Sequence, residues 1–68
     1  MREYDYSRLL GRIKERGETQ ETVAKAISIN VSTLNQKLNN KRDFSQSEIK
    51  NICNFLDISD IKSYFFVN

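Results

Sequence analysis

The sequence contains no proline, histidine or tryptophan, and it has only two glycines and one cysteine in 68 residues. Without histidine, the lone Cys53 has no neighbouring ligands with which to hold a metal ion. It cannot form an internal disulfide either, which is typical of a reducing compartment. The sequence also contains no Gly-rich phosphate loop and no nucleophile paired with a base. These absences favour a binding protein without cofactor or metal over an enzyme.

Long apolar runs are missing as well. No segment approaches the roughly 18 apolar residues that a membrane-spanning helix needs, and residues 1–7 are too polar for a signal peptide. A chain of this length buries only about 60% of its unfolded surface and supports a single core. The sequence therefore predicts one cytoplasmic domain over residues 1–68, with no membrane among its partners.

Positive charge is concentrated in the first part of the chain. Residues 1–42 carry nine Lys and Arg against five Asp and Glu, whereas residues 43–68 carry two against four. This asymmetry is expected if the N-terminal part contacts a polyanion such as nucleic acid. Chance clustering on a small surface would produce the same pattern, so charge alone does not decide between the two interpretations.

Apolar residues recur at helical spacing throughout, which predicts an all-α, compact five-helix bundle. In chain order, the helices are expected at about residues 5–16, 20–27, 31–39, 46–56 and 60–67. Thr19 and Asn30 are suitable N-caps, and Ser45 with Glu48 matches a capping box. Gly17 suits the position after the end of the first helix.

The third predicted helix has two faces. One face is apolar and places Val31, Leu34 and Leu38 toward the core. The opposite face carries only hydroxyl and amide side chains, namely Ser32, Asn35, Gln36 and Asn39. Asn and Ser are weak helix formers, and their side chains both donate and accept hydrogen bonds, as contacts with base edges in the major groove require. The alternative is a neutral surface helix in an organism whose proteins are rich in Asn.

The segments around this helix have the spacing of a helix-turn-helix, in which the small Ala24 allows two helices to cross closely. The stretches TQETVAKAI (19–27) and STLNQKLNNKR (32–42) resemble the Cro and phage-repressor type of helix-turn-helix domain. The likeness extends over about residues 6–62 and is strongest to small Cro-like regulators from phages of Gram-positive hosts. It implies a lambda-repressor-like fold with the helix-turn-helix at about 19–39.

Two positions depart from the pattern of that family. Ser28 stands in the turn where glycine is usual, and a positive φ would strain it. Lys37 stands where the last apolar residue of the third helix is common. Val31 is ambiguous, because the family register makes it the first base-contacting residue, whereas periodicity assigns it to the core. We expect Val31 to pack.

The expected DNA contacts fall into two groups. The base-contacting residues are Ser32, Asn35, Gln36 and Asn39, with Val31 as a fifth candidate beside a thymine methyl group. Phosphate contacts are expected from Thr19 and Gln20 at the start of the second helix, and from Lys37, Asn40, Lys41 and Arg42 beside the third.

The resemblance implies a sequence-specific transcriptional regulator that binds a double-stranded DNA operator as a homodimer, on the nucleoid of a bacterial cell. The implied role is that of a repressor in a phage or prophage genetic switch. The alternative is a protein-binding modulator, an anti-repressor or co-repressor that binds a partner repressor. The apolar tail at 64–67 fits either the core or a dimer contact.

Overall fold

The computed structural model describes residues 4–66, which contain five α-helices and no strand. The helices are α1 (Ser7–Glu15), α2 (Gln20–Ala26), α3 (Val31–Leu38), α4 (Gln46–Leu56) and α5 (Ile61–Phe65). The predicted all-α architecture is confirmed, and helix ends differ from the predicted ones by two residues at most. Among the described helices, none is long and apolar enough to cross a membrane.

Side-chain caps define where α2 and α4 begin. The Ser45 hydroxyl accepts from the Glu48 amide, and the Glu48 carboxylate accepts from the Ser45 amide, as predicted. Thr19 and Thr22 form an equivalent reciprocal pair at the start of α2, which extends the predicted role of Thr19. Asn30 occupies the N-cap position of α3, but its side chain makes no capping hydrogen bond.

The first four helices all end in the same way, with one residue in the left-handed conformation. These residues are Gly17, Ser28, Asn40 and Asp57, with φ between 55° and 72°. In each case the next residue donates its amide to the carbonyl five positions earlier, as in Ile29 to Ala24 at 2.9 Å and Lys41 to Gln36 at 2.8 Å. This is the Schellman termination, which usually employs glycine. Three of the four ends therefore carry backbone strain.

Replacing Ser28 with glycine is expected to raise the free energy of unfolding by about 0.5–1 kcal/mol, because glycine adopts φ of 64° without a Cβ penalty. Urea denaturation measures the change. Asn40→Gly is the contrasting variant, since it relieves the same strain but removes two hydrogen bonds to Tyr4. A Ser28→Gly variant that unfolds at lower urea than the parent would show that the turn is not strained.

The core is formed by apolar side chains from all five helices and from the segments between them. It consists of Tyr6, Leu9, Ile13, Val23, Ala24, Ile27, Leu34, Leu38, Ile52, Cys53, Leu56, Ile58 and Phe65. The predicted interior position of Cys53 is confirmed, and burial raises the pKa of its thiol. α2 packs against both α3 and α4, while α1 packs against α5.

Two apolar residues of the helices lie on the surface, and one of them, Val31, was expected to pack. Leu10 is 40% exposed and Val31 is 42% exposed, so the predicted packing of Val31 is wrong. A different apolar residue is the most buried in each of these helices, Leu9 in α1 and Leu34 in α3.

The C-terminal aromatic residues contribute mainly to the core. Phe65 makes edge-to-face contacts with Phe44 and Tyr6, at ring centroid distances of 5.4 and 6.4 Å. Tyr64 is half-buried, whereas Phe66 is 52% exposed and its ring packs edge-to-face with that of Tyr4. Of the two expectations for the tail, core packing therefore holds for Phe65. Val67, the last residue of the predicted tail, lies outside the described residues.

Candidate functional site

The exposed side of α3 carries the residues expected to contact DNA bases. Ser32, Asn35, Gln36 and Asn39 are all exposed, and we call this set the polar face. Val31 lies in the first turn of the same helix and is also exposed. The polar face is therefore accompanied by one apolar side chain and contains no charged residue.

A chain of amide side chains joins the polar face to the start of α2. Asn39 Nδ2 donates to the Asn35 side-chain oxygen at 3.0 Å and to the Asn35 carbonyl at 2.9 Å. Asn35 Nδ2 in turn donates to Gln20 Oε1 at 3.4 Å. These bonds use the amide nitrogen of Asn39 and the amide oxygen of Gln20. The chain thus offers an acceptor at its Asn39 end and donors at its Gln20 end.

Sequence reasoning placed Gln20 at the start of α2 but did not connect it with Asn35. The two residues are 15 positions apart, and only the crossing of α2 and α3 brings their side chains together. At Thr19, the amide and the hydroxyl are both engaged in the cap with Thr22. The contact of Thr19 with phosphate remains a prediction, with fewer free donors than the sequence indicated.

On the other side of α3, the four expected phosphate-binding residues separate into two pairs. Lys41 and Arg42 are exposed in the loop after α3. Asn40 is partly buried, and its side chain donates to the Tyr4 carbonyl and accepts from the Tyr4 amide, both at 2.8 Å. The side chain of Asn40 thus anchors the segment before α1, which corrects its assignment as a phosphate ligand.

Lys37 is the second correction. It is only 8% exposed, and its ammonium group forms an ion pair with Glu48 of α4. A lysine directed into the protein cannot reach a phosphate on the outer surface of α3.

The ion pair changes the chemistry of the Glu48 carboxyl group. Burial by itself would raise the pKa of Glu48, but the hydrogen bonds from Lys37 and Ser45 and the charge of Lys37 outweigh it. The pKa of Glu48 is therefore lower than its ordinary value, and the group is ionised at neutral pH. A charged carboxylate and a charged ammonium face each other at the junction of α3 and α4.

The exposed side of α3 and the loop after it are suited to a ligand that presents hydrogen-bond donors, acceptors and apolar groups. An exposed helix presents donors, acceptors and one branched apolar side chain, and it is followed by two cations, Lys41 and Arg42. The major groove of B-DNA is wide enough to admit an α-helix, and it displays donors, acceptors and thymine methyl groups.

Comparison with known proteins gives a family but no activity. The model of a family described as a protein of unknown function, DUF739, matches residues 2–68. No curated protein matches the chain.

Proposed function

The chain belongs to the DUF739 family, and we propose that it is a sequence-specific DNA-binding regulator of the lambda-repressor-like, helix-turn-helix type. In this proposal α2 and α3 form the helix-turn-helix, and α3 enters the major groove. The observation that carries it is the uncharged polar face of α3, whose members are all exposed and which a hydrogen bond from Asn35 links to Gln20 of α2.

Each exposed group has a chemical counterpart on DNA. The acceptor of Asn39 fits an amino group on cytosine or adenine, and Gln36 can pair with adenine through its amide. Val31 is suited to a thymine methyl group, because the structure leaves it exposed. Lys41 and Arg42 are assigned to the phosphates.

We further propose that the regulator acts as a repressor in a phage or prophage genetic switch. This rests on the likeness of the segments 19–27 and 32–42 to Cro-like regulators. Such proteins bind two half-sites about one helical turn apart, so a homodimer on a two-fold symmetric operator is the expected complex.

The proposal is tested by selecting bound duplexes from a random DNA pool and measuring affinity for the enriched sequence. Gln36→Ala should cost about 1–3 kcal/mol on the enriched duplex, because it removes a base contact. Asn35→Ala should cost a similar amount, because it removes a base contact and also the link between Asn39 and Gln20. Binding to a random duplex should barely change. Fluorescence anisotropy at a fixed salt concentration measures both.

Asn51→Ala is the matched control, since Asn51 is an exposed amide on α4, away from the polar face. It should leave both affinities unchanged. Equal losses on enriched and random duplexes would contradict the base-contacting roles. A pool that shows no enrichment at low salt would contradict the function itself.

A second candidate function is a modulator that binds a partner repressor. It is favoured by an apolar groove beside α4, lined in part by Ile49, Cys53 and Ile58 and by the exposed Ile61 and Phe66. Mobility-shift experiments on the enriched duplex and on the promoter beside the gene separate the two functions. A shift that occurs only when the repressor of that promoter is present would favour the modulator.

A further inference from the structure

We infer that the ion pair between Lys37 and Glu48 is a positioning device that sets the rotation of α3 about its axis, and so determines how the polar face meets DNA. This inference rests on the proposed function for its consequence, but its structural part can be measured without DNA. Neither residue belongs to the polar face. Lys37 follows Gln36 directly in the sequence and is directed to the opposite, inner side of the helix.

The carboxylate is held in place from α4. Oxygen Oε1 of Glu48 accepts from the Ser45 amide at 2.9 Å and also from the Lys37 ammonium. It therefore completes the capping box of α4 and the ion pair at the same time. Any movement of Lys37 relative to this oxygen would weaken a contact at the start of α4.

The Lys37 ammonium group also lies near an aromatic ring. It lies 5.9 Å from the centroid of the Phe44 ring, which itself packs edge-to-face against Tyr6 and Phe65 of the core. The aromatic ring supports the cation through its electron-rich face. Lys37 is the only buried charged or polar residue among residues 4–66, so the charge has an unusual and specific location.

The location of the ion pair matters because α3 has few other contacts with α4. α3 packs chiefly against α2, and α2 in turn packs against α4. Apolar packing has no preferred direction, so Leu34 and Leu38 alone allow small rotations of the helix. A buried ion pair with hydrogen bonds tolerates little displacement, since separation leaves charges that are incompletely solvated.

The test compares Lys37→Met and Glu48→Gln with Lys41→Ala, on the enriched and random duplexes and over a range of salt concentrations. Lys37→Met keeps an unbranched side chain that ends at Cε and lacks only the ammonium group, and Glu48→Gln keeps an acceptor for Ser45. Both should weaken binding to the enriched duplex by about 10-fold or more while leaving random binding and the salt slope unchanged. Lys41→Ala should weaken both duplexes and lower the slope by about one.

The double variant Lys37→Met/Glu48→Gln distinguishes an effect on the orientation of α3 from an effect on the stability of the domain. It leaves no unpaired buried charge, so its thermal midpoint should recover toward that of the parent. Its discrimination between the two duplexes should stay reduced, because no directional contact replaces the pair. Recovery of discrimination together with stability would overturn the inference, since the pair would then contribute stability alone.

A measurement on the free protein keeps the inference independent of DNA binding. In two-dimensional NMR spectra, Glu48→Gln should shift the side-chain amide signals of Asn35 and Asn39, and Lys41→Ala should not. Unchanged signals in a folded Glu48→Gln variant would overturn the positioning role even if DNA binding is established. Shifted signals without any enriched duplex would support the positioning of α3 and reject the proposed function instead.

Discussion

Replacing Phe65 with alanine is expected to lower the free energy of unfolding by about 3–5 kcal/mol. Phe65 is 2% exposed and is among the largest fully buried side chains. Its ring also contacts Tyr6 and Phe44, so its removal leaves a cavity bounded by two aromatic rings. A domain of this size is typically stable by only about 3–10 kcal/mol, and the variant should be largely unfolded near 37 °C. Thermal and urea denaturation followed by circular dichroism measure the loss.

The adjacent Phe66 supplies a control of the same residue type. It is 52% exposed and contacts Tyr4 at a ring centroid distance of 5.9 Å, so Phe66→Ala should cost about 1 kcal/mol or less. Similar losses for the two variants would show that Phe65 is not the anchor of the C-terminal segment. Sedimentation of Phe66→Ala at several concentrations would also show whether its exposed ring supports a dimer.

Replacing Arg12 with methionine is expected to cost about 2–3 kcal/mol. Arg12 of α1 donates from Nε to the Leu56 carbonyl and from Nη2 to the Asp57 carbonyl, both at 2.9 Å. These oxygens lie at the end of α4, where carbonyl groups have no partner within the helix. The guanidinium therefore connects α1 with the end of α4 through two directional bonds. Methionine preserves the apolar stem of the side chain and removes every donor.

Arg12→Lys and Arg16→Met refine this prediction. A single ammonium group lacks the fork of donors that spans two carbonyl oxygens, so lysine should recover little of the loss. Arg16 is exposed at the end of α1, and its replacement should change the free energy of unfolding by less than about 0.5 kcal/mol. Full recovery by lysine would indicate that charge, rather than the two hydrogen bonds, is what Arg12 contributes.

Local signals in the sequence were sufficient to predict the helices. Capping at Thr19 and Ser45 and the glycine at position 17 mark helix ends through contacts between residues a few positions apart. Such contacts form wherever the local sequence allows them, and they need no tertiary partner. The polar face of α3 was likewise predicted, because the helical period alone places its members on one side.

Residues whose role depends on distant partners were assigned less well. Lys37 lies in α3 and Asn40 lies just after it, and both are residue types that commonly contact phosphates. Their partners Glu48 and Tyr4 are 11 and 36 positions away. No local sequence pattern indicates such a pairing. The prediction that Val31 packs was wrong for a related reason. Periodicity identifies an apolar stripe on a helix, but it does not show how far around the helix the neighbouring elements cover it.

By itself, the sequence predicted the five helices of residues 4–66 to within two residues of their observed ends, and it predicted that α3 has an uncharged side rich in amides. Those properties follow from spacing, capping and propensity, which act over a few residues. Only the tertiary structure decided that Lys37 faces inward to Glu48, that Asn40 anchors the segment before α1, and that Gln20 joins Asn35. Each of these depends on which helices cross, because the partner atoms meet only after the shared core has been buried.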